Sequence, residues 1–94
     1  MQAIPADQRV AHHALTRRLT AAATIRDLPD GMAFSFASEF YDDIVLFIAH
    51  ERLCCPFLRF ALDISPARGP ITLTLTGPPG AAAFIRSELG VPGI

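Results

Sequence analysis

The sequence predicts a single α+β domain over residues 1–94, with one four-stranded, mainly antiparallel sheet and helices on one face, in the order α-ββα-ββα. Three observations carry this. Met32, Phe34 and Phe36 alternate with Ala33 and Ser35, and Ile71, Leu73 and Leu75 alternate with Thr72, Thr74 and Thr76, the period of half-buried strands. Both segments follow Pro/Gly turn chemistry, Pro29-Asp30-Gly31 and Pro66 to Pro70, so each closes a hairpin. Around and between the hairpins lie stretches in which apolar residues recur at helical spacing.

Taken in order, residues 7–19 form the first predicted helix. Val10, Ala11, Ala14, Leu15 and Leu19 make its apolar face, with Arg9, His13 and Arg17 opposite. Pro5 and Asp7 suit a first turn, where a missing N–H and a negative charge are tolerated. His12 and His13 fall at or beyond the flank of the apolar face and are expected on the solvated surface. Residues 22–28 supply a weakly alternating strand. Gly31 permits a positive φ in the following turn, and residues 32–36 form the returning strand.

A central helix is expected from about Glu39 to Cys54 or Cys55. Ser38 is its N-cap, and Glu39, Asp42 and Asp43 sit at its positive end. Pro56 stops it, because the residue before a proline is pushed out of the helical region. Leu58, Phe60, Leu62 and Ile64 then share a strand face. Gly77-Pro78-Pro79-Gly80 breaks the chain, and Ala81, Phe84, Ile85 and Leu89 mark a helix over about 80–89 with Gly90 as its C-cap. The expected core is Phe34, Phe36, Ile44, Phe47, Phe60, Leu62, Leu73 and Phe84. Leu46, Ala49 and Leu53 form a second apolar stripe on the central helix, which predicts a homodimer through those residues.

Composition narrows the function classes. With 51% hydrophobic and 18% charged residues, the chain is globular rather than disordered. All eight basic residues are arginines, the net charge is -1, and no basic stripe gathers on one face, which argues against nucleic-acid binding. No apolar run is long enough to span a membrane. The N-terminus lacks a charged region followed by an apolar stretch, so a cytoplasmic location is expected rather than secretion.

The chemistry concentrates at Cys54-Cys55. Adjacent Cα atoms lie about 3.8 Å apart, below the ~4.4–6.8 Å of ordinary disulfides, so the pair is read as two free thiols in a reducing compartment. On a helical wheel Glu51 falls inside the stripe of Phe40, Ile44, Phe47 and Ile48. It precedes Cys54 by three residues and Cys55 by four, the spacings at which helical side chains meet. A carboxylate in an apolar stripe needs a partner. Arg52, Arg59 or a backbone N–H would serve, unless Glu51 shares a site with the thiols.

Three readings stay open. Two thiolates, with Glu51 and His50 as further metal ligands, suit a soft ion such as Hg(II), Cu(I), As(III) or, less well, Zn(II), whose structural sites use wider cysteine spacings. Alternatively the cysteines fill the core of a structural or interaction module without metal. A thiol-redox enzyme is the third, and it is disfavoured by cysteines at a helix C-terminus beside a carboxylate.

The segment Glu51-Arg52-Leu53-Cys54-Cys55-Pro56-Phe57-Leu58-Arg59-Phe60 resembles a group of small bacterial proteins carrying Glu-Arg-x-Cys-Cys-Pro-Phe, found alone or alongside MerR-type (mercury-resistance) regulators. The likeness extends over residues 15–90, although only this motif is specific. It implies soft-metal or metalloid association, as in mercury or arsenic resistance. Many members carry a further cysteine ahead of the first helix. Here that region reads Gln2-Ala3-Ile4, so the expected ligands are two sulfurs with Glu51 or His50.

Overall fold

The computed structural model describes residues 6–90. Pro5, Gln2-Ala3-Ile4 and the Asp7 side chain lie outside the description. Helix α1 spans Ala6–Ala22, strands β1 and β2 span Thr24–Leu28 and Gly31–Phe36, and a 3-10 turn, Ser38–Phe40, leads into α2, Tyr41–Cys54. Strands β3 (Arg59–Ile64) and β4 (Ile71–Thr76) and helix α3 (Ala81–Glu88) complete the order α-ββ-α-ββ-α. Ser38 makes no side-chain cap; the acidic side chains of the entry remain at the positive end of the helix.

The four strands form one sheet in the order β1-β2-β4-β3, every neighbouring pair antiparallel. The hairpins meet through β2 and β4, with Phe34 opposite Leu73 and Met32 opposite Leu75. Met32, Phe34, Phe36, Ile71, Leu73 and Leu75 therefore share one face, and all are buried. All three helices bring apolar side chains to that core: Leu15 and Leu19 from α1, Ile44 and Phe47 from α2, Ala81, Ile85 and the following Leu89 from α3.

The core departs from expectation at its rim. Leu62 is 36% exposed, Ile64 52% and Phe84 37%, and Phe60 is only half-buried. The physical reason is strand order: β3 is an edge strand, so its core-facing row reaches beyond the helices that cover β2 and β4. On α3 the inward positions are taken by Ala81, Ile85 and Leu89, while Phe84 meets Phe57 edge-on with ring centroids 5.1 Å apart.

Gly31 does not use the positive φ that a glycine permits. Positive φ angles among the glycines occur at Gly80 and Gly90, not at Gly31. What Gly31 supplies is closeness, since a Cβ there would stand 1.8 Å from the carbonyl oxygen of Leu75 on β4. Gly90, at φ 69°, is the left-handed residue expected after α3.

On α1 the buried side chains are Leu15, Thr16 and Leu19, whereas Val10 is 80% exposed and Ala11 and Ala14 face solvent. The buried stripe extends one turn towards the N-terminus through His12, at i−3 and i−4 from Leu15 and Thr16. His12 is therefore inside the structure and not on its solvated surface, a correction that decides the local chemistry below. His13 is exposed, as expected.

Candidate metal centre

Helix α2 ends on the site. Its last turn carries Glu51 and Cys54. Cys55 follows, its N–H bonded to the Glu51 carbonyl at 2.8 Å, with Pro56 preventing a further turn. Chain reversal at this point leaves both sulfurs at the end of the helix. Cys54 is half-buried and Cys55 is fully buried. Their Sγ atoms lie 3.4 Å apart, unbonded, as two free thiols.

The other two helices close on this end. Glu88, the last residue of α3, places Oε2 3.8 Å from the sulfur of Cys54. Cys54, Cys55 and Glu88 thus form a candidate metal-binding group, whose ligand atoms all lie within 4.8 Å of one another. Glu88 is a candidate ligand that the sequence does not suggest. It stands 34 residues from Cys54, and only the packing of α3 against the sheet brings the two together.

Glu51 occupies the layer behind the sulfurs. It is 2% exposed, its Oε2 lies 3.6 Å from Cys55 Sγ, and its Oε1 accepts a hydrogen bond from His12 Nε2 at 2.9 Å. The partner that a buried carboxylate requires is thus a histidine from α1, not Arg52, Arg59 or a backbone N–H. The imidazole of His12 is fixed in turn, stacked on Phe47 at 5.5 Å and 17°. His50 meets it edge-on at 5.4 Å, and its Nδ1, like that of His12, is buried with no hydrogen-bond partner among the described residues. Of the four residues named from sequence, the structure therefore brings Cys54, Cys55 and Glu51 into contact. It sets His50 beside His12, outside the group that includes Glu88.

The electrostatics keep both sulfurs protonated. Burial pushes the Cys54 thiol up, an effect that the hydrogen bond from Cys55 partly offsets and that Glu88 and Glu51 reinforce. Cys55 is pushed much further up, first by burial, then by giving its hydrogen to Cys54, then by the charges of Glu51 and Glu88. A single S–H serves either Cys54 or Glu51 at any moment. Such a pair is a poor nucleophile in the absence of metal, the opposite of the thiolate character that redox cysteines require.

These shifts set an alkaline limit on stability. The folded Cys55 thiol ionises above the ordinary value of 9.0, so below pH 9 both folded and unfolded chains hold its proton and the full stability is present. Above that the unfolded chain ionises first, and stability falls as pH rises towards the folded value. Urea unfolding should show a decline beginning near pH 9 that is shallower in Cys55→Ala; parallel profiles would mean the thiol is not desolvated.

Beside Cys54 a hollow of about 300 Å³ opens between α1 and α3, lined by Arg9, His12, His13, Thr16, Glu51, Cys54, Glu88 and Leu89. Among the described residues no helix is long and apolar enough to cross a membrane. The fold and site together define an α+β domain with a vicinal dithiol and a carboxylate at the meeting point of its three helices. No protein-family model, no curated protein and no solved structure matches the chain.

Proposed function

We propose that Cys54 and Cys55 bind a soft metal or metalloid ion as cargo, with Glu88 as a third ligand, and that the protein serves as a resistance or sensing accessory. The observation that carries this reading is the convergence of two sulfurs and one carboxylate oxygen within 4.8 Å where the C-terminal ends of α2 and α3 meet. Sulfur pairs favour Hg(II), Cu(I) and As(III) over harder ions. At a metal–sulfur distance of about 2.3 Å, the 3.4 Å separation of the sulfurs corresponds to an angle of about 95° at the ion. A linear two-coordinate ion would need about 4.6 Å on the same bond length, so the unloaded pair is closest to a pyramidal three-coordinate ion such as As(III). The resemblance at Glu51 to Phe60 points the same way. Glu51 backs Cys55, and His50 stands ready only if the pair rearranges.

A second reading rests on one specific observation: Cys55 is fully buried within the hydrophobic core cluster, where a cysteine can act as a small apolar residue. The two readings separate on stoichiometry. Titrating reduced protein with arsenite, Hg(II), Cu(I) and Zn(II) should remove two reactive thiols per soft ion bound, with protons released and affinity rising with pH. Thiols that stay unreactive towards every ion until the protein unfolds would favour the core reading.

Assembly belongs to the same proposal. Leu46 is 48% and Leu53 49% exposed, Val45 is 41% exposed, and Ala49 lies between them on the outer face of α2. A homodimer through Leu46, Ala49 and Leu53 would cover this stripe. Sedimentation should give a dimer mass that drops to a monomer in Leu46→Glu. A monomer mass before the substitution would remove the dimer.

A further inference from the structure

The hollow beside Cys54 is far larger than an ion requires. A second hollow of about 650 Å³ adjoins it, sharing His13, Thr16, Glu88 and Leu89 with the first and adding Arg17, Thr20, Ile25 and Ser87. The two adjoining hollows form a cleft between α1 and α3, with Cys54 lining the first and Arg17 the second. Its α1 wall carries two arginines, Arg9 and Arg17, and His13. The α3 wall carries one acid, Glu88. The other carboxyl group, Glu51, lies deep in the cleft and is held by His12. The Arg17 side chain enters no ion pair among the described residues. A space of molecular size with the Arg17 guanidinium on its wall suits a small anionic molecule, and the thiols fix what that molecule carries.

We infer that the ion arrives as a complex of a small carboxylate-bearing thiol, and that the cleft holds one such thiol on the bound ion with its carboxylates against Arg17. This rests on the soft-ion reading of Cys54 and Cys55. For As(III) the step is a thiol exchange. A complex with three small thiolates meets two protonated cysteines, two arsenic–sulfur bonds to the small thiol break, and two to Cys54 and Cys55 form. Each departing thiolate takes the proton of the cysteine that replaces it, so two neutral thiols leave and nothing is oxidised or reduced. The third thiolate stays on the arsenic in the position that Glu88 fills when no thiol is present, and extends along the cleft.

The test is non-denaturing mass spectrometry of the reduced full chain with arsenite and, separately, mercaptosuccinate, 2-mercaptoethanol or cysteamine. The expected product with mercaptosuccinate is a ternary species of protein, one arsenic and one thiol, with the neutral and cationic thiols giving mainly the binary protein–arsenic species. Arg17→Glu should lower the ternary-to-binary ratio by about tenfold, the size expected of one charge-assisted contact, and Arg26→Glu on the opposite sheet face should not. Ternary species formed equally with cysteamine, or undiminished in Arg17→Glu, overturn the inference. Arsenic bound without any ternary species overturns it alone, whereas a protein that takes up no arsenic under any condition overturns the soft-ion reading with it.

Discussion

Replacing either cysteine with serine should weaken arsenite binding by about 100-fold or more, because each sulfur is half of a chelate and its loss turns an intramolecular second contact into none. The two variants should differ in their side effects. Cys54 is half-buried, so Cys54→Ser leaves folding nearly unchanged. Cys55 is fully buried with its sulfur against Glu51 and Cys54, so Cys55→Ser adds a stability cost of about 1 kcal/mol from burying a hydroxyl in a thiol's place. Glu88→Gln should weaken binding by a smaller factor without touching stability, since Glu88 is exposed. Competition titrations of the three variants measure all of this. Cysteine variants that bind as tightly as the parent would place the ion elsewhere.

The largest effect on folding is expected at His12. Glu51 is 2% exposed, and among the described residues His12 provides its one close partner besides the Cys55 sulfur. His12→Ala leaves a buried carboxyl group without that bond and opens a space beside Phe47, and the combined loss should be about 3–5 kcal/mol. For a domain of this size each kcal/mol moves the midpoint by about 4–8 °C, so the variant should melt far below the parent. Glu51→Gln keeps the shape and one hydrogen bond to His12 and should cost much less, about 1 kcal/mol. Changing both residues to leucine should recover most of the stability, because buried pairs are often replaceable by apolar side chains of similar volume. If His12→Ala melts within a few degrees of the parent, Glu51 is reached by water and the burial argument fails.

The contrast between these residues shows what local sequence could and could not reveal. Alternation in Met32–Phe36 and Ile71–Leu75 announced two strands and their inward faces, because a period of two survives any sheet order. It could not announce that β4 lies inside the sheet and β3 at its edge, and that is why Leu62 and Ile64 are exposed despite an equally good pattern. The stripe that placed Glu51 in the apolar face of α2 was correct, and so was the demand for a partner. The pattern hides the partner itself, because the small residues Ala11 and Ala14, with Val10, mimic an apolar face on α1 while lying exposed. The stripe 12, 15, 16, 19, which includes a polar threonine, is the one that packs. Thr16 hides its hydroxyl by donating to the His12 carbonyl at 2.9 Å, so a polar residue sits in the buried row without penalty. Glu88 carried no local signal. It ends a short helix beside Leu89, and only the tertiary arrangement turns it towards Cys54.

In the proposed site both vicinal sulfurs and one oxygen hold the same ion within one chain. X-ray absorption at the arsenic edge on reduced, arsenite-loaded protein, with no other thiol present, reads that shell directly. The account predicts two sulfur neighbours and one light neighbour, falling to one sulfur neighbour or to no bound arsenic in Cys54→Ser. A shell of three sulfurs, which one chain with two cysteines cannot supply, or a shell with no sulfur at all, would contradict it.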